Sequence, residues 1–94
     1  MHFTSCFMGT SGFSDTGLFS AQNSLESEIK RLVLENSSQR TILADASKFG
    51  RSAFSVFARP GDVDFLVTDE AFSGVERYSA LGIIVITAVR QSPG

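Results

Sequence analysis

Ninety-four residues, a net charge of −2, one cysteine and one histidine bound the chain to one small domain and exclude several chemistries. There is no basic footprint for direct binding of DNA or RNA, no disulfide framework within the chain and no cluster of metal ligands. A composition 43% hydrophobic and 19% charged is globular rather than disordered, and nine phenylalanines without a tryptophan make the core phenylalanine-rich.

The chain opens on "FTSCFM", residues 3–8, a short strand in which Cys6 reads as a small buried hydrophobe. The opening "MHFTSCFMG" has no basic n-region for a signal peptide, and no segment approaches the ~18 apolar residues of a membrane span. A soluble, cytoplasmic protein is expected. "GTSGFSDTGLFS", residues 9–20, reads as a loop. "NSLE", residues 23–26, matches an Asn-x-x-Glu capping box. Leu25, Ile29, Leu32 and Val33 then recur at helical spacing, which predicts one inward apolar face and a helix ending near residues 36–38. "TILADAS", 41–47, reads as a strand buried on both faces, and "SAFSVFA", 52–58, as a weaker strand on an edge. "RPGD", 59–62, is a turn and "VDFLVTD", 63–69, a strand. "SGVE", 73–76, opens a second helix with Val75, Tyr78 and Leu81 or Ala80 inward and Gly82 closing it at C′. "IIVITAV", 83–89, is a β-branched last strand, followed by the tail "RQSPG".

Strand–helix–strand order predicts an α/β fold with a parallel-rich sheet and right-handed crossover helices. Ligands of such sheets gather beyond the carboxyl ends of the strands. "GTSG", "DASK" and "TDE" should therefore share one rim. Glu28, early in its helix, and Lys48, after the next strand, would face one cleft suited to a hydroxylated, anionic small molecule. On spacing alone a plainer reading competes: Glu28 complements the helix dipole and Lys48 is solvated. Thr10 and Ser11 offer hydroxyls and backbone N–H groups to an anion, or simply turn the chain. Asp45 ends a strand, where aspartate commonly caps a turn. Lys30 and Arg31 read as a solvated helix face. No Ser-His-Asp or Cys-His arrangement can be assembled, and no cofactor fingerprint is present.

Taken in order, "FMGTSGF", "GLFS", "ESEIKRLVLENSSQRTILADASKFGRSAF", "VDFLVTDEAFS" and "LGIIVI" resemble the C-terminal effector-sensing domain of DeoR-type transcriptional repressors of sugar metabolism, from about residue 3 to 88. The resemblance implies a ribose-5-phosphate isomerase/CoA-transferase-like fold. It implies a phosphorylated sugar or related metabolite as effector, and DNA binding only through a winged helix-turn-helix ahead of this chain. Isomerases of that fold carry an "A-D-A-S-K" type stretch whose lysine lies at the sugar phosphate, with a catalytic glutamate in the preceding helix. Lys48 and Glu28 resemble those residues, so the implied ligand contacts are Glu28, Lys48, Thr10, Ser11 and Asp45. The isomerases' acid-rich "D-G-A-D-E" loop is replaced here by "GTSGF", which implies binding without catalysis. Thr4 stands where the family usually has an aspartate.

Residues 1–94 are thus expected to form the second half of a sensor domain. A missing first half would leave an open sheet edge and apolar surface, so self-association into a homo-oligomer is expected. Two other readings stand beside this one: a fragment of a sugar-phosphate isomerase-like enzyme, and a stand-alone α/β interaction domain.

Overall fold

A computed structural model describes residues 2–51 and 53–89. Four strands form one sheet, all parallel, in the order β1 (Phe3–Gly9), β4 (Ser37–Leu43), β6 (Phe65–Asp69) and β7 (Ile84–Ala88). Three shorter strands, β2 (Gly12–Phe13), β3 (Phe19–Ala21) and β5 (Ser55–Ala58), form a second, antiparallel sheet. Helix α1 (Ser24–Glu35) leads into β4, and α2 (Val75–Ala80) leads into β7. The α/β class, the parallel-rich sheet and the crossover helices are as the sequence predicts.

The strand order follows the chain order, so each connection steps the same way across the sheet. Right-handed crossovers that all step one way place every connecting element on one face. The small sheet, α1 and α2 accordingly share one core with Cys6, Ile42, Leu66 and Ile83. Its centre is aromatic. The Phe13 ring lies 5.4 Å from Phe49, 5.6 Å from Phe72 and 6.0 Å from Tyr78, within the range of favourable ring pairs. Tyr78 is fully buried, and its hydroxyl donates to the Ser14 carbonyl at 2.5 Å. Burial, and secondarily the charge of Asp15, raises the pKa of this phenol well above its ordinary value, so it remains a donor.

Several elements depart from the sequence reading. The 9–20 "loop" contains the β2–β3 hairpin, too short to register as alternation. The strand expected at 41–47 begins earlier, at Ser37; the adjacent residues Thr41 and Ile42, which point to opposite faces, are both buried, while Leu43 is 43% exposed. The strand expected over 52–58 is β5 of the second sheet, with Phe57 and Ala58 buried and Phe54 exposed; Ser52 and the tail from residue 90 lie outside the described residues. Tyr78 points inward as expected, but Val75, Ala80 and Leu81 are exposed. Gly82, at φ +88°, closes α2 in a Schellman motif, with Ile83 N–H donating to Tyr78 O and Gly82 N–H to Ser79 O.

Helix α1 shows the largest reversal. Asn23 caps it, its Oδ1 accepting from Glu26 N–H at 2.8 Å. The side chains of Asn36 and Ser37 take the carbonyls of Leu32 and Val33 and end it at Glu35. The buried side carries Ser27 and Leu34, with Lys30 between them; of the four residues expected inward only Val33 packs, partly buried, against the core, while Leu25, Ile29 and Leu32 face outward. The apolar stripe is real, but the helix approaches β5 through its small residue, Ser27, whose hydroxyl donates to Val56 O at 3.2 Å.

At the amino ends of the strands, the Arg40 side chain donates to both carboxylate oxygens of Asp64, at 3.2 and 3.3 Å, and the Arg40 N–H adds a third bond at 2.8 Å. Those hydrogen bonds hold the Asp64 carboxyl below its ordinary value of 3.8, against a smaller opposing effect of burial. A depressed carboxylate stabilises the fold above its unfolded pKa and loses that contribution as pH falls through the folded value. Urea unfolding from about pH 5 to about pH 3 should therefore show a steeper loss of stability in the wild type than in Asp64→Asn.

Candidate functional site

The carboxyl ends of β1, β4, β6 and β7 surround an open cleft of about 490 Å³. Its floor is apolar, built from Leu43, Ala44, Val67 and Ala88, and its polar rim carries Thr10, Asp45, Lys48, Thr68 and Asp69. The predicted convergence of the segments after three strands on one rim is thus what the fold produces.

Lys48 is set in place from both sides. Asp45, Ala46 and Ser47 lead into a single 3₁₀ turn, Ala46–Lys48. The Asp69 carboxylate, from the end of the neighbouring strand, accepts from Ala46 N–H at 2.9 Å and from Ala71 N–H at 3.0 Å. Beyond the lysine, Phe49 enters the aromatic core, 5.0 Å from Phe72. Gly50, at φ +82°, donates its N–H to Phe13 O at 2.8 Å. The next residue lies so close to the hairpin that a Cβ on Gly12 would stand 2.3 Å from the Arg51 carbonyl oxygen. The backbone on either side of the lysine is thus held by hydrogen bonds and close packing.

Three of the five expected ligand residues, Thr10, Asp45 and Lys48, line the cleft. Glu28 does not. It is exposed on α1, because the helix turns residues 27, 30 and 34 inward. The expected facing of Glu28 and Lys48 across one cleft is therefore not formed. Ser11 is also outside the lining, since its N–H donates to Ser20 O at 2.9 Å as part of the hairpin. The Thr10 hydroxyl lies 2.7 Å from Gly12 O and 3.0 Å from Ser20 O. Its proton is committed to the loop, leaving its oxygen to accept.

Two residues were not legible as site elements. Lys30, expected to be solvated, is largely covered: its ammonium donates to Gly9 O at 2.7 Å, pairs with Glu26 at 3.6 Å and stands 5.0 Å from the Phe57 ring centroid. It anchors the end of β1 next to Thr10. Thr68 lines the cleft, and its buried hydroxyl has no hydrogen-bond partner among the described residues. Such a group ordinarily finds protein, water or ligand; its only sequence signal was a hydroxyl one residue before a strand-terminal aspartate.

The profile of the DeoR C terminal sensor domain matches residues 1–70, from β1 through the aspartate that holds the Lys48 turn. The chain belongs to the DeoR C-terminal sensor family. It is 32% identical over 92 residues to the uncharacterized HTH-type transcriptional regulator YulB of Bacillus subtilis, covering 94% of this chain and 34% of that protein. It is 29% identical over 84 residues to the HTH-type regulator FruR of the same organism (89% and 34% coverage) and 28% identical over 90 residues to the HTH-type regulator GlpR of Haloferax volcanii (94% and 35%). The chain thus spans about a third of the length of these relatives. Among the described residues no helix is long and apolar enough to cross a membrane.

The positioning by Asp69 gives a direct test on the DeoR-type domain. Asp69→Ala frees two amides at once and should cost about 1–3 kcal/mol in urea unfolding, whereas Asp69→Asn, which keeps one acceptor, should cost less.

Proposed function

We propose that this chain is the effector-sensing part of a DeoR-type regulator of carbohydrate metabolism, and that it binds a phosphorylated sugar or a closely related metabolite without transforming it. Lys48 is the observation that carries this reading: one ammonium group, on a fixed turn, at the rim of a cleft formed by strand ends. An ammonium suits a phosphate as a point charge. Asp45 and the accepting oxygen of Thr10 suit sugar hydroxyls, and the apolar floor suits the carbon skeleton of a ring or chain.

Binding without isomerase-type chemistry is favoured by the position of one residue. A proton shuttle needs an acid or base within reach of the substrate carbon. The glutamate in the position that resembles the isomerase base, Glu28, is exposed on the helix instead of lining the cleft. In an intact regulator, an effector with different affinity for two states of the protein would shift the balance between DNA-competent and DNA-incompetent forms, with DNA held by another part of the protein.

Calorimetric titration of sugar phosphates and their unphosphorylated counterparts tests the reading. Phosphorylated ligands should bind more tightly, Lys48→Ala should weaken them roughly tenfold to a hundredfold, and Glu28→Gln should leave affinity within about twofold. Equal affinity of Lys48→Ala and wild type would remove the site assignment. Aldose–ketose turnover lost in Glu28→Gln would replace sensing with catalysis.

A further inference from the structure

Thr68 is a buried polar group that the fold itself does not use. It is 4% exposed, and its hydroxyl oxygen has no hydrogen-bond partner among the described residues. Burying a hydroxyl without a partner costs stability, and native proteins ordinarily meet such a need with protein, water or ligand. Strand alternation puts Thr68 on the face of β6 that carries Leu66, which pairs with Ile42 in the core. A group laid against the opposite, open face of the sheet would meet Phe65 and Val67, not Thr68. The opening beside Thr68 is the cleft, which it lines between Val67 and Asp69.

The other polar side chains of the rim show which capacity is scarce there. Asp45 and Asp69 are carboxylates and accept. The Thr10 proton is committed to the Gly12 or Ser20 carbonyl, so its oxygen accepts too. Lys48 donates, but as a charge. Thr68 is the one neutral donor among the described side chains of the rim. A sugar presents hydroxyl protons, which these acceptors can take, and also carbonyl, ring or hydroxyl oxygens, which need a donor. We infer that the Thr68 hydroxyl is a specificity-determining contact, donating to an uncharged oxygen of the ligand's carbon skeleton while Lys48 takes the phosphate, which deepens and rests on the effector reading of the cleft. The hydroxyl oxygen is itself covered, but one χ1 rotation exchanges the hydroxyl and methyl of a threonine between staggered positions. The group can therefore turn to a ligand without moving the backbone. The same hydroxyl lowers the stability of the free protein and favours the bound one.

Calorimetric titration of the full chain with a panel of pentose and hexose monophosphates, beside thermal melting without ligand, tests the contact. Thr68→Val replaces the hydroxyl by a methyl of similar size. It should weaken binding roughly threefold to tenfold and raise the melting temperature of the free protein by roughly 3–8 °C. Thr68→Ser keeps the donor and should recover most of the affinity. Raising salt from about 50 to about 500 mM should shrink the effect of Lys48→Ala but leave the ratio of wild type to Thr68→Val within about twofold, because screening acts on charges. If Lys48→Ala weakens binding and Thr68→Val does not, the inference falls while the effector reading stands. A melting temperature that does not rise in Thr68→Val, an equal loss of affinity in Thr68→Ser, or a salt-dependent Thr68→Val ratio also overturns it. If the wild type binds none of the panel, or Lys48→Ala binds as tightly as wild type, the effector reading fails and this contact with it.

Discussion

The direction of winding governs this molecule. Each connection from one parallel strand to the next steps the same way across the sheet, and crossovers of the usual right hand then collect the connecting structure on one face. That constraint explains the single aromatic core, the bare opposite face and the location of the cleft. The cleft lies where four strand ends open together, its floor continuous with the uncovered side of the sheet. The core in turn fixes the site, because Phe13, Phe49, Phe72 and Tyr78 pack as one group and Phe49 is the residue after Lys48.

The site is built by backbone more than by side chains. Asp69 supplies a carboxylate to two amides, Thr10 ties the hairpin to the end of β1, and Lys30 holds the last carbonyl of β1. Each device uses a polar side chain to satisfy main-chain groups that strand ends leave without a ladder partner. The result is a rim of tied backbone from which the Lys48 side chain lines the cleft, an arrangement suited to recognising a small anion.

The strands, the two helices and the shared rim were legible because each rests on local periodicity, capping or the chain order of elements. The β2–β3 hairpin was not, since strands of two and three residues carry no alternation. The side of α1 that faces inward was not legible either. Periodicity groups Leu25, Ile29 and Leu32 on one side of the helix, but which side docks depends on how closely the helix must approach β5, and there Ser27 fits. The same rotation moves Glu28 away from the cleft and brings Lys30 to β1. Lys48, Asp45 and Thr10 were legible from their positions just after strands. Thr68 was not, because a threonine near the end of a strand is ordinary until its hydroxyl is seen buried without a partner.

The proposed effector site is the rim around Lys48. Amide chemical-shift mapping during titration with a sugar phosphate tests it most directly, since it locates binding without altering the protein. The largest shifts are expected at Ala44–Phe49, Thr68 and Asp69, with smaller ones at Thr10 and none along α1. Shifts centred on α1 or on the Arg40–Asp64 end of the sheet, or no shifts at saturating ligand, would contradict it.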